Sequence, residues 1–163
     1  MSVTQIPLTR GLYALVDNEV AKRIGGFKWL AQTTKTGVYA ARADYSKGRR
    51  YLLLHREITN CPPGLVVDHI NHDTLDNRLC NLRVCQPFQN AANTRKRLST
   101  KLSRFKGVAF VPYLNRKNLW MAFINHRGER HHLGYWPQEE IAARIRDKAA
   151  MQLHGAFAQL NLP

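Results

Sequence analysis

The sequence predicts an α+β protein built in three parts. Residues 1–60 form a β-rich module, residues 61–98 a compact strand–loop–strand–helix segment, and residues 99–163 a basic linker with a three-stranded sheet and one helix. Three observations carry this. Short apolar runs bounded by Gly, Asn, Asp and Ser recur through the first third, the pattern of strands joined by turns. The middle is dense in Asp, Asn and His, and the end carries an amphipathic repeat at helical spacing.

In the first part, residues 11–17 (GLYALVD) read as a strand and residues 19–24 as a short helix ended by Gly25-Gly26. The runs GVYAARADY and RRYLLLHREI read as a hairpin turning at Ser46-Lys47-Gly48, which puts His55 on a strand as a packed core residue. In the middle, GLVVDHI is an apolar strand that delivers Asp68 and His69 side by side. NHDTLDNR is a loop in which Asp76-Asn77 reads as a turn, because Asn and Asp bond their own backbone. LCNLRVC is a second strand, and Pro87 then opens a helix with Asn90 and Asn93 on one face. In the last part, three strands precede a helix started by Pro137 and stopped by Gly155. Its Ile141, Ile145, Ala149 and Leu153 recur at spacing four and are expected to face the sheet. Trp120 and Trp136 read as core between sheet and helix.

Charge narrows the function. Lys and Arg number 25 against 11 Asp and Glu, a net charge of +14. No acid occurs over residues 77–128, where Arg95-Lys96-Arg97 is followed by Lys101, Arg104 and Lys106. A surface built for solubility mixes both signs, so a one-signed block of this length points to nucleic acid. With 44% hydrophobic residues, wholesale disorder is excluded. No apolar run approaches the roughly 20 residues of a membrane span. The N-terminus lacks the pattern of a signal peptide, so a cytoplasmic protein without a membrane partner is expected. Cys61, Cys80 and Cys85 are odd in number and form no CxxC pair, which argues against a disulfide framework or a zinc knuckle.

The middle segment has chemistry to offer. Folded as a hairpin packed on a helix, it would bring Asp68 opposite Asn90 with His69 beside them. Mg²⁺ takes oxygen ligands and needs only one or two from protein, leaving room for water and phosphate. Asp68 offers a charged oxygen and Asn90 a neutral carbonyl. A neutral imidazole at His69 is a general base for an attacking water.

These residues resemble the HNH nuclease motif of phage and intron homing endonucleases, in which the last His is often replaced by Asn. The Asp-His pair stands at Asp68-His69, the Asn-Leu-Arg triplet at Asn81-Leu82-Arg83, and the final metal position at Asn90. The resemblance implies a ββα-metal nuclease core. In it Asp68 and Asn90 ligate the metal, His69 is the general base, and Asn81 braces the hairpin loop. Asn93 and His72 lie nearby as phosphate or loop support. The first part is also similar to the leader of many phage HNH proteins, on Ile6, Ala14, Lys28, Tyr39 and Leu54.

Residues 103–161 resemble the plant ethylene-response-factor (Apetala-two) DNA-binding domain. The likeness rests on Phe105-Lys106-Gly107-Val108, Trp120-Met121-Ala122, Leu133-Gly134-Tyr135-Trp136, Asp147 and the ending Leu160-Asn161. It implies that the strands read the major groove, with Arg104, Lys106, Arg116, Lys117, Asn125, Arg127 and Arg130 as contacts beside the linker cations. Ala109, Val111 and Phe123 stand where the plant proteins carry Arg, so target preference does not transfer.

The expectation is a sequence-directed DNA endonuclease of the homing type. It would hydrolyse phosphodiester bonds of double-stranded DNA with one divalent metal, Mg²⁺ or Mn²⁺. The family implies a phage-encoded protein acting in a bacterial host as monomer or homodimer. The alternative is a non-cleaving DNA-binding regulator that keeps the HNH fold as a scaffold.

Overall fold

The computed structural model describes residues 2–46, 48, 50–96, 103–112 and 120–162. The chain is mixed α/β and divides into two compact units, Met1–Gln86 and Pro87–Pro163.

The first unit opens with β1 (Val3–Pro7) antiparallel to β2 (Tyr13–Asp17). Alternation turns Ile6, Ala14 and Val16 inward. α1 (Asn18–Ile24) follows at once and adds Val20 and Ile24, four residues apart and both buried. A three-stranded antiparallel sheet then runs β3 (Leu30–Thr34), β4 (Gly37–Asp44) and β5 (Arg50–Leu53) in sequence order. Lys47 in the β4–β5 connection lies outside the described residues. The strands β1 and β3 carried no clear sequence signal.

One sequence expectation is corrected here. The run RRYLLLHREI is strand only as far as Leu53, because residues from Leu54 coil into the short helix α2 (Leu54–Ile58). Leu54 and Ile58, one helical turn apart, are both buried. Arg42 grips Glu57 with two hydrogen bonds of 2.8 and 3.1 Å, a bidentate contact that anchors the helix on β4. His55 therefore sits on a helix, not a strand.

β6 (Val66–His69) and β7 (Leu82–Cys85) close the unit as an antiparallel pair. Two strands alone bury too little to be stable. Val67 and Leu82 instead join Ile6, Val16, Ile24 and Leu54 in one apolar cluster, so residues from the first sixty complete the core under this hairpin.

The second unit begins with α3 (Pro87–Asn93). Its sheet is antiparallel in the order β10 (Glu129–Trp136), β9 (Trp120–His126), β8 (Val108–Phe110). α4 (Glu139–His154) packs on the sheet. Gly155, at φ 53°, ends it as expected. Pro137 lies just ahead of the cap residue Gln138 and not at the first helical position. The buried face is also rotated from the expected one. Ala142, Ala143, Arg146, Asp147 and Ala150 are enclosed, whereas Leu153 is 39% exposed. Small alanines let α4 approach Phe105, Trp120 and Trp136 closely. Asp147 turns inward because it binds the C-terminal segment.

Candidate active site and nucleic-acid interface

The ladder of β6 and β7 sets Asp68 directly across from Arg83, and His69 across from Leu82. Asp68 is 4% exposed and His69 is 6% exposed. Arg83 closes on the carboxylate with Nε at 2.7 Å and Nη2 at 2.6 Å from Asp68 Oδ2. Sequence reasoning placed Arg83 in the Asn-Leu-Arg triplet but gave it no role. The signal was present, since a cation two residues beyond Asn81 on an alternating strand shares the face of Asp68.

The loop between the strands is held by its own side chains. Asn81 Oδ1 accepts from the Asn71 amide at 3.0 Å, and Asn81 Nδ2 donates to the Asp76 carbonyl at 2.8 Å. Asp76 takes two 2.7 Å bonds from Arg78 and one of 2.9 Å from Asn71 Nδ2. Its pairing with Arg78 holds the carboxyl below the usual range. The loop also ties back to β2, through Leu15 N–H to the Leu75 carbonyl and Asn77 N–H to the Leu15 carbonyl. Asp76 and Asn77 bond nearby backbone as a turn would, Asp76 Oδ1 accepting the Arg78 amide and Asn77 Nδ2 donating to the Leu75 carbonyl, yet they are 2% and 0% exposed. His72 occupies a left-handed backbone position at φ 67° and its amide donates to the His69 carbonyl.

Tyr39, His55 and His69 form a cluster of three rings. His55 of α2 stands 5.1 Å from His69, edge to face, and Tyr39 of β4 lies 5.4 Å from His55. Burial pushes the His69 imidazole below its usual pKa, although the Asn77 side chain and the carboxylates of Asp68, Asp73 and Asp76 pull the other way. His55 is pushed down to about 3, by burial first and then by His69 and Arg56. Both imidazoles are therefore neutral at neutral pH. His55 Nδ1 is buried without a hydrogen-bond partner.

Asn90 and Asn93 lie on α3 and so belong to the second unit; Asn93 is 6% exposed and Asn90 half-buried. The cations named from the sequence fare differently. Arg95, Arg127 and Arg130 are exposed, as is Asn125. Arg104 is held by Glu139 and Glu140. Lys96 donates to the carbonyls of Ser103 and Phe105. Lys106 donates to the carbonyls of Ala91, Ala92 and Thr94, where it satisfies the open end of α3. Arg97, Lys101, Arg116 and Lys117 lie outside the described residues.

Comparison with known proteins gives this arrangement a family. Residues 59–92, from the end of α2 into α3, match the HNH endonuclease family. An uncharacterized HNH endonuclease of Acanthamoeba polyphaga mimivirus is 30% identical over 154 residues, covering 93% of this chain and 76% of the relative. Protein 3.8 of Escherichia phage T7 is 28% identical over 100 residues, covering 61% of this chain and 78% of that protein. No solved structure matches. The chain belongs to the HNH endonuclease family. No helix among the described residues is long and apolar enough to cross a membrane.

Proposed function

We propose that this chain is a sequence-directed DNA endonuclease of the homing type, using one divalent cation and His69 as general base. One observation carries the reading. Within the segment that matches the family, β6 ends in a buried carboxylate followed at once by a buried imidazole.

Asp68 and Asn90 are the residues that would hold the cation. One carboxylate and one amide carbonyl fit a hard ion that keeps most of its waters, so Mg²⁺ or Mn²⁺ suits the donor set. When bound, such an ion supplies positive charge to the scissile phosphate and the departing 3′ oxygen. His69 takes the proton from the attacking water. Burial keeps its imidazole neutral, which leaves a ring nitrogen able to accept. Arg83 holds the Asp68 carboxylate from across the ladder, and Asn81 braces the loop between the two strands. His72 and Asn93 support the loop or the bound phosphate.

The second unit carries the DNA contacts in this reading, as an Apetala-two-like sheet and helix. Arg95, Asn125, Arg127 and Arg130 present the exposed polar surface. Lys96, Arg104 and Lys106 add charge, and Arg97, Lys101, Arg116 and Lys117 extend it along the chain.

The test is incubation with supercoiled plasmid and with phage genomic DNA, in Mg²⁺ and in EDTA. Metal-dependent nicked or linear product is expected, and His69→Ala should lower the rate at least ~100-fold while DNA affinity holds. Intact binding without cutting in any divalent cation would replace this reading with the regulator.

A further inference from the structure

Within the second unit lies a cavity of about 600 Å³ on the far side of α3 from Asn90 and Asn93. Its walls are of one sign. Lys106, Arg127, Arg130 and Arg146 line it, and no Asp or Glu does among the described residues. Arg146 is 1% exposed and bonds Asp147 and the Gln159 carbonyl through Nη1, but its Nε is buried with no acceptor. Among the described residues Lys106 donates to backbone carbonyls and the Thr94 hydroxyl. Arg146 thus has one carboxylate, Asp147, whose oxygens also serve Asn161 and Leu162, and the half-buried Lys106 has no carboxylate partner among the described residues.

The neighbours register this imbalance. Burial, then the Arg146 guanidinium, push the Lys106 ammonium down to about 8. Burial together with His126, Arg146 and Lys106 pushes the His154 imidazole down as well. Buried charge that is incompletely satisfied is costly, and an anion in the cavity would offset it.

Two aromatic rings also line the cavity, each with a guanidinium over one face. The Arg127 guanidinium stands 5.5 Å over the Phe88 ring, and that of Arg130 stands 4.4 Å over Phe123. Rings and planar guanidinium groups are the surfaces on which unpaired bases stack. Arg127 occupies a left-handed position at φ 50°, followed by Gly128 at φ 90°, in the two-residue turn between His126 and Glu129. Asn-Gly is the preferred pair in such a turn. An arginine there is strained, and the turn presents its side chain at the cavity.

We propose that this cavity binds the nucleoside-monophosphate unit of an unpaired DNA nucleotide, with the phosphate among Arg127, Arg130 and Arg146 and the base against Phe88 and Phe123. The volume suits one nucleotide and not a duplex. The proposal rests on the reading that the second unit binds DNA, and deepens it by adding a single-nucleotide subsite apart from the strand faces.

The experiment uses the full chain with isotope-labelled amides and four probes: thymidine 5′-monophosphate, thymidine, inorganic phosphate, and a 5′-phosphorylated single-stranded dodecamer. A duplex of the same sequence is the control for DNA binding. The monophosphate and the dodecamer should both shift the amides of Gly107, Ile124, Asn125 and Gly128. Thymidine and phosphate should bind about tenfold more weakly, since each offers half of the recognised chemistry. Arg130→Gln, at an exposed site where the side chain meets Asn125 and the Phe123 ring, should weaken the monophosphate about tenfold with little change in melting temperature. Arg127→Asn should weaken the monophosphate likewise and, by relieving the turn, raise the melting temperature. Duplex binding with no shift at these amides from any probe would overturn the subsite and leave DNA binding by the unit standing. Loss of duplex binding altogether would overturn both. Inorganic phosphate binding as tightly as the monophosphate would overturn the base-stacking half.

Discussion

Arg83 and Asp68 face each other across the β6–β7 ladder, with both guanidinium contacts falling on Asp68 Oδ2. The side chains are 18% and 5% exposed, so the pair lies largely out of water. Breaking such a pair strips a buried charge of its facing countercharge, and the cost is about 3–5 kcal/mol. Arg83→Met should therefore lower stability by about 3 kcal/mol, the smaller end because Arg83 retains some solvent. Urea denaturation measures it. Adding Asp68→Asn to that variant should recover most of the loss, since neither charge then remains. A double variant no more stable than Arg83→Met would mean the arginine acts by packing its stem and not by charge.

His55 makes stability depend on pH with a definite sign. Its folded pKa, about 3, lies below the unfolded value near 6.5, so the unfolded chain binds the proton first. Stability is full above pH 6.5 and falls as pH drops toward 3. Between pH 7 and pH 5 the loss from this residue is about 2 kcal/mol. His55→Phe keeps an aromatic ring against Tyr39 and His69 and removes the titration. Denaturation at the two pH values should show a drop in the wild type that is smaller by that amount in the variant. Equal drops would place the acid sensitivity elsewhere, with His69 the next group to examine.

The difference between α2 and β6 shows what sequence can report. β6 was legible because its apolar residues are consecutive, bounded by a Gly turn and followed by the polar Asp68-His69. The run Leu52-Leu53-Leu54 has no period of its own, and the switch to helix at Leu54 depends on Arg42, which lies on another strand. The burial of Asp76 was not legible for the same reason. Its Asn neighbour and loop position read as a turn, whereas Leu15 on β2 closes over it from far along the chain. The face of α4 was misjudged because hydrophobicity alone ranks Ile141 and Leu153 above alanine and aspartate. The helix instead turns toward the sheet the residues that allow close approach or meet a buried partner.

Asp147 and Asn161 form the partner that turns it. Asp147 Oδ2 accepts the amides of Asn161 and Leu162 at 2.8 and 3.0 Å, and Oδ1 accepts Asn161 Nδ2 at 3.0 Å. Asn161 in turn pairs with both backbone groups of Lys106, at 2.7 and 3.0 Å. One side chain thus joins α4, the approach to β8 and the C-terminal segment. Asn161→Ala removes three hydrogen bonds and leaves the Lys106 amide and carbonyl wanting partners, a loss of about 2–4 kcal/mol. Thermal melting should register it, and Lys106 amide exchange should speed up. Asn161→Asp keeps an acceptor for the Lys106 amide but sets a second carboxylate against Asp147. It should be no more stable than the alanine variant, and a markedly more stable aspartate would put the weight of the clamp on that single amide.

The adjacent cations Arg95 and Lys96 should separate in their effect on DNA binding, although the sequence presents them as one basic run. Arg95 is exposed, whereas Lys96 spends its ammonium on the carbonyls of Ser103 and Phe105 and is partly withdrawn from solvent. Burial lowers the Lys96 pKa, against a smaller opposing pull from Glu139. A cation on a phosphate contributes about 0.9 to the slope of log affinity against log salt. If the exposed residue meets the backbone, Arg95→Gln reduces that slope by about one and weakens binding to all sequences alike. Lys96→Gln should leave the slope nearly unchanged and lower the melting temperature, because its bonds are internal. Titrations of duplex DNA at several salt concentrations decide between the two. Equal slope changes for both variants would mean that Lys96 leaves its carbonyls for phosphate when DNA binds, and the contact to Phe105 would then belong to the free protein only.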